Sequence, residues 1–339
     1  MQALFYPQYG ILQVADRPLP TIGHDEVLVR VSACGLCGSE LETFRSRSPR
    51  RVPPLVMGHE FCGVVEDAGA DVHGFHEGSR VVVNAIVPCG SCVRCARGDG
   101  HLCAKREVFG MHRPGAFAEF VAAPARCLVE WPDALPAESA CLAEPLGNGV
   151  HVVTLTRDVS ADTVVVLGAG AIGLAVIQSF VALRGSRVVA IDMIPERLRV
   201  ATSLGAAEVL RGDQELLAET IYGLTSNEGA DIVVDAVGSA ATKRASIAFA
   251  RPGGAIVWIG LHENEVSIDT YEVTLAERHI YGTYGATLDD LTQAVGLMES
   301  GKVDMLSWIT VDSLGRGVEV FERMLQPSGS DIKAVLIPE

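Results

Sequence analysis

The sequence predicts an α/β protein in which an irregular, β-rich first part is followed by a doubly wound parallel sheet. Three observations carry this. The first 150 residues set short β-branched runs among Gly and Pro. From about residue 160, fully apolar runs alternate with helix-length segments, and the first of these runs leads into Gly168-Ala-Gly170-Ala-Ile-Gly173. Apolar strands alternating with helices belong to parallel sheets covered on both faces.

The elements follow in order. Val27–Val31, Gly63–Glu66 and Arg80–Val83 read as short strands bounded by Gly or Pro. Thr163–Leu167 reads as a buried strand, with a helix running on to about Arg184. Arg187–Ile191 is a second strand ending at Asp192. Helices near 195–204 and 213–224, a strand at Asp231–Asp235, a helix near 240–250 and a strand at Ala255–Ile259 complete the alternation. A helical stretch, Leu288–Ser300, and a last strand, Lys333–Ile337, close the sequence pattern.

The length of 339 residues corresponds to two domains, with expected limits at 1–150 and 151–287. Apolar residues make up 48% and charged residues 20%, which excludes a disordered or fibrous chain. A formal net charge of -15 provides no positive field for nucleic acid. Apolar runs fall short of the ~18 residues a membrane span needs, and the N-terminus lacks a basic segment followed by an apolar one. A soluble cytoplasmic protein is the expectation.

Four of the nine cysteines fall in Cys89-Gly-Ser-Cys92-Val-Arg-Cys95-Ala-Arg-Gly-Asp-Gly-His-Leu-Cys103, spaced C-x2-C-x2-C-x7-C. Four thiolates in one short loop close a tetrahedron around zinc and leave no open position. An iron–sulfur cluster is the alternative, and thiolates alone in a closed site favour zinc. Cys37, His59, Glu60 and Glu144 suggest a second, open site. One thiolate, one imidazole and one carboxylate leave a zinc position for water or substrate. Taken singly, each is as well explained by a core thiol, a core histidine or a solvated acid.

Gly168-x-Gly170-x-x-Gly173 follows an apolar strand and opens a helix, and Asp192 lies 19 residues after Gly173. The glycines admit a pyrophosphate to the helix N-terminus, and the acid accepts from the adenosine ribose. Asp192 repels a 2'-phosphate, and Met193 and Ile194 beside it supply no cation, so NAD is expected over NADP.

The segments GLCGSE, MGHEFCGVV, PCGSCVRCARGDGHLC, GAFAEFV, AEPLGNGVH, VVVLGAGAIGL, VVDAVG and RPGGAIVWIGL together resemble the zinc-containing medium-chain dehydrogenase/reductase family. Within it they look like the polyol branch of sorbitol, galactitol-1-phosphate and threonine dehydrogenases. The resemblance spans nearly the whole chain. It implies a GroES-like β domain that holds both metals and to which 288–339 return, with a Rossmann domain between. It implies two zinc ions and NAD, a small-molecule alcohol or ketone as partner, and a homodimer or homotetramer. It implies that Cys37, His59 and either Glu60 or Glu144 hold the catalytic zinc. Ile172, Asp192 and Arg197 match dinucleotide-binding positions, and Ile259, Gly260 and Leu261 match the strand end facing the nicotinamide carboxamide.

The expected reaction is reversible oxidation of a secondary alcohol to a ketone, with Ser39 as first proton acceptor. An amino-alcohol dehydrogenase of the threonine type is the nearest alternative, and a non-catalytic dinucleotide-binding protein a third. Two departures stand out. Glu42 occupies the place of a relay histidine and either takes over the outer relay or leaves it to water. Gly285 stands where sorbitol enzymes carry an arginine. Arg45, Arg47, Arg50 and Arg51 fall within seven residues. They read either as a site for an anionic substrate or as a solvated basic loop.

Overall fold

The computed structural model describes residues 1–326 and 331–339. The chain divides into two compact units. The first comprises Met1–Gly147, Gly285–Gly301 and Met305–Glu339, and the second Asn148–Tyr284 with Lys302–Asp304.

The first unit is built on a seven-stranded sheet. Glu26–Leu36 lies at its centre, antiparallel to Glu60–Ala68 on one side and to Lys333–Ile337 on the other. Phe120–Pro124 also pairs with the first half of Glu26–Leu36. Arg80–Val83 and Leu128–Glu130 extend one edge, and Ile309–Ser313 the other. Val27, Val29, Phe61, Val81, Val83, Phe117 and Phe321 pack in its core. Each such side chain removed from water contributes about 1.5–3 kcal/mol before the entropy of ordering is counted.

In the second unit a six-stranded, all-parallel sheet runs in the order Glu208–Arg211, Arg187–Asp192, Thr163–Leu167, Ala230–Asp235, Ala250–Trp258, His279–Gly282. Numbered along the chain this is 3-2-1-4-5-6, the order of the dinucleotide-binding doubly wound fold. Val164, Val165 and Val166 are fully buried, as a central strand covered on both faces requires.

The segment expected to be helical over 213–224 forms a helix only over Leu217–Leu224. The strands Glu208–Arg211, His279–Gly282 and Ile309–Ser313, and the helix Gly317–Met324, have no counterpart in the sequence reading. Among the described residues, no helix is long and apolar enough to cross a membrane.

Candidate active site

The antiparallel pairing of Glu26–Leu36 with Glu60–Ala68 sets Gly35 opposite Glu60 and Cys34 opposite Phe61. Cys37, just beyond the end of one strand, therefore meets His59 and Glu60 at the start of the other. Cys37 is also the N-cap of the helix Gly38–Ser46. The ligand atoms of Cys37, His59 and Glu60 all lie within 4.8 Å of one another. Gly58, before His59, has φ +99°, and a Cβ there would lie 2.6 Å from the Phe117 nitrogen. Glycine is thus required for His59 to reach the group. Glu144, at the start of the helix Ala143–Leu155, lies outside it.

One soft, one borderline and one hard donor form a set that zinc accepts, with a fourth position left for an exchangeable ligand. The surroundings fit such a centre. A Cβ on Gly35 would fall 2.3 Å from Glu60 Oε2 and 2.9 Å from Leu142 Cδ2, so the missing side chain leaves the space the carboxylate occupies. The Lys333 ammonium, buried at 2% exposure, forms an ion pair with Glu60 Oε2. Burial works against the charged lysine, but Glu60 first and then Cys37 hold its pKa above the usual value.

Two residues that sequence reasoning gave no role organise the ligands. One is Lys333. The other is Glu40, fully buried. Its Oε1 accepts from the Gly58 N–H at 2.8 Å and faces His59 Nδ1 at 2.9 Å, while Oε2 accepts from the Cys37 N–H at 3.0 Å. A carboxylate at Nδ1 assigns the proton to that nitrogen and leaves Nε2 as the ligand atom. Burial works to raise the Glu40 carboxyl, but His59 and then Arg51 hold it below the usual carboxylate range. Its one sequence signal is its place three residues after Cys37, where it closes a capping box.

Ser39 Oγ donates to Cys37 Sγ at 3.3 Å and accepts from Arg51 Nη2 at 3.0 Å. Glu42, on the same helix, is half exposed and pairs with Arg45 at 2.5 Å. The arginine run divides: Arg45, Arg47 and Arg50 are exposed, whereas Arg51 is buried. Gly285 has φ +70°, and a Cβ there would lie 2.3 Å from Ile86 Cδ1. The left-handed backbone there therefore disfavours a side chain at the position where the family resemblance implies arginine.

The sulfurs of Cys89, Cys92, Cys95 and Cys103 form the second group, all within 4.8 Å of one another. Cys92 lies 3.5 Å from Cys95 and 3.8 Å from Cys103, and Cys89 lies 3.9 Å from Cys95. Tetrahedral zinc with Zn–S near 2.3 Å separates its sulfurs by about 3.8 Å, so the four thiols fit that ion without rearrangement. Backbone N–H groups of Cys89 and Lys105 donate to Cys103 Sγ at 3.5 and 3.3 Å. Hydrogen bonds from the Ser91 backbone and side chain bring the Cys89 thiol down to about 6, whereas desolvation and then the Cys92 hydrogen bond push its neighbour Cys95 up to about 11.

In the second unit, Gly168 and the loop after Asp235 lie beyond the C-terminal ends of the two strands where the order reverses, the place where such sheets bind ligands. A Cβ on Gly173 would lie 1.8 Å from the Gly168 carbonyl oxygen, and Gly168 has φ +95°. Both glycines are therefore fixed by geometry, and Gly170 caps the helix Ala171–Arg184, which carries Ile172. Asp192 Oδ2 accepts from the Ala169 N–H at 2.7 Å, and Oδ1 from the Ile194 N–H at 2.9 Å. Arg197 Nη1 stands 4.0 Å from Asp192 Oδ2. The expectation of no cation beside Asp192 is thus corrected: helix Pro195–Ser203 supplies one a turn further on. Ile259 and Gly260 donate from their N–H groups to the Asp235 carbonyl, and Leu261 is exposed.

The alcohol dehydrogenase GroES-like domain matches residues 23–133, and the zinc-binding dehydrogenase domain matches residues 171–300. The chain belongs to the zinc-containing medium-chain dehydrogenase/reductase family. An L-threonine 3-dehydrogenase of Chelativorans sp. (strain BNC1) is 36% identical over 298 residues, 86% of each chain. Galactitol-1-phosphate dehydrogenase from Escherichia coli superposes with a TM-score of 0.91 at 26% identity over 100% of each chain. A zinc-binding dehydrogenase from Sinorhizobium meliloti 1021, bound to NADP, superposes with a TM-score of 0.91 at 29% identity over 99% of each.

Proposed function

We propose that the chain is an NAD-linked dehydrogenase that converts a secondary alcohol to a ketone, and that L-threonine, oxidised at its 3-hydroxyl, is the first substrate to test. One observation carries the reaction class. Cys37, His59 and Glu60 converge within 4.8 Å, with Ser39 Oγ hydrogen-bonded to Cys37 Sγ. The likeness to an L-threonine 3-dehydrogenase at 36% identity favours that substrate. A sugar alcohol or its phosphate is the second reading. It is supported by the likeness to galactitol-1-phosphate dehydrogenase and by the exposed Arg47 and Arg50.

Cys37, His59 and Glu60 would hold a catalytic zinc, and Cys89, Cys92, Cys95 and Cys103 a structural one. When bound, zinc acts as a Lewis acid on the alcohol and the nicotinamide accepts hydride. Glu40 fixes the His59 tautomer, and Lys333 steadies the Glu60 carboxylate. Ser39 Oγ accepts a hydrogen bond from the substrate hydroxyl. The backbone of Gly168, Gly170 and Gly173, with Ile172, would hold the pyrophosphate of the dinucleotide, Asp192 and Arg197 its adenosine ribose, and Ile259, Gly260 and Leu261 its carboxamide.

The test is reduction of NAD by purified chain with L-threonine, sugar alcohols and their phosphates, beside elemental analysis of the same preparation. Turnover of L-threonine by protein containing zinc supports the reading. Active protein free of zinc, or no turnover of any alcohol, overturns it.

A further inference from the structure

Arg51 ends a run of arginines, yet it is 2% exposed and faces inward. Nε donates to the Gly110 carbonyl at 3.0 Å. Nη1 donates to the Ser39 carbonyl at 3.0 Å and to Thr43 Oγ1 at 3.2 Å. Nη2 donates to Ser39 Oγ at 3.0 Å. One guanidinium thus grips the first two turns of the helix Gly38–Ser46 and the loop at Gly110 that packs on Gly58.

The last of these contacts has chemical content. A guanidinium carries donors and no acceptor. Ser39 Oγ must therefore accept from Arg51, which fills one of its two lone pairs. The single Ser39 O–H is then free to point only away from Arg51, and it donates to Cys37 Sγ at 3.3 Å. One lone pair is left for an incoming hydroxyl. Without Arg51 the serine hydroxyl could rotate among several partners. With it, donor and acceptor directions are both set before substrate arrives.

We propose that Arg51 is a positioning residue for the reaction, acting through Ser39 by fixing the direction in which its hydroxyl gives and takes hydrogen bonds. This rests on the dehydrogenase reading above. It also removes Arg51 from any anion-binding role: with Nε, Nη1 and Nη2 all engaged inward, only Arg45, Arg47 and Arg50 remain at the surface.

The test is a double-mutant cycle with Arg51→Lys and Ser39→Ala, read with L-threonine or whichever alcohol of the panel the wild type turns over. A charge-assisted hydrogen bond of ordinary strength corresponds to about tenfold in rate. Arg51→Lys is expected to lower kcat by about that factor in the wild-type background, with KM little changed, and to have no further effect once Ser39 is Ala. Zinc content and NADH affinity by fluorescence titration should stay at wild-type values. Thr43→Val, which takes an acceptor from Nη1 and leaves Nη2 on Ser39, should match the wild type in kcat. If the lysine chain does not fold, Arg51→Gln enters the same cycle. Equal losses with and without the Ser39 hydroxyl, or a Thr43→Val loss as large as that of Arg51→Lys, would show a structural clamp and overturn the positioning role alone. A wild type inactive on every alcohol overturns the dehydrogenase reading and this role with it.

Discussion

Gly35→Ala probes how Glu60 is held. The new Cβ would fall 2.3 Å from Glu60 Oε2, 2.9 Å from Leu142 Cδ2 and 3.2 Å from Lys333 Cε. Glu60 must retreat by about 1 Å to reach the 3.4 Å of an ordinary contact, and Leu142 by about half that. Neither has open space, because both are buried and Glu60 is tied to Lys333. Overpacking of this kind costs about 1–3 kcal/mol. The functional loss should exceed the structural one, since a displacement of about 1 Å at a reacting centre can cost about 100-fold in rate. The assay pairs kcat/KM with thermal unfolding and zinc content on the same preparation. We expect folded protein, destabilised by the amount above, with kcat/KM down about 100-fold. A variant within threefold of wild-type kcat/KM would refute the idea that this packing sets the carboxylate.

Other expectations are simpler. Cys95→Ser should halve the zinc content and lower the melting temperature while leaving kcat within a few-fold, because a closed thiolate site does no chemistry; an unchanged metal content contradicts it. Asp192→Ala should relax discrimination against NADP and weaken NAD, and a wild type with the higher kcat/KM for NADP would show the assignment wrong. Glu42→Gln should leave the pH–rate profile unmoved, since the carboxylate is half exposed and paired with Arg45; a shifted profile would restore it to the relay. Burial pushes the Cys127 thiol up from 9.0 to about 12. Above pH ~9 the unfolded chain releases that proton and the folded one keeps it, so stability falls as pH rises, by about 1.4 kcal/mol per unit for this thiol. Cys127→Ala should flatten the urea-midpoint decline between about pH 9 and 11, and parallel declines would refute the contribution.

What the sequence disclosed depended on whether the signal was local. Thr163–Leu167 and Lys333–Ile337 are legible to the residue because each is four consecutive apolar residues behind one polar one. The cysteine comb is legible because its ligands sit within one loop. The edge strands Glu208–Arg211 and His279–Gly282 are not, because each pairs on one side only and none of their residues is fully buried. Glu40 and Lys333 fail for another reason. A glutamate in a first helical turn and a lysine before an apolar run both look like solvated residues. Only the pairing of Glu26–Leu36 with both Glu60–Ala68 and Lys333–Ile337 draws them into the interior. The arginine run shows the same limit, since composition cannot separate exposed Arg45 from buried Arg51.

The partnership of Glu60 with Lys333 couples the Cys37, His59 and Glu60 cluster to the order of synthesis. Chains emerge from the ribosome N-terminal end first. Cys37, His59 and Glu60 are all made early, yet the cation that neutralises the Glu60 carboxylate arrives 273 positions later, on a strand that must insert beside Glu26–Leu36 after the entire second unit has been produced. Until then the Glu60 carboxylate lacks the Lys333 ammonium that pairs with it in the finished fold. A chain that stops short of Lys333 therefore lacks this ion pair and leaves unpaired the side of Glu26–Leu36 that Lys333–Ile337 covers, an open edge of the kind that pairs with other chains.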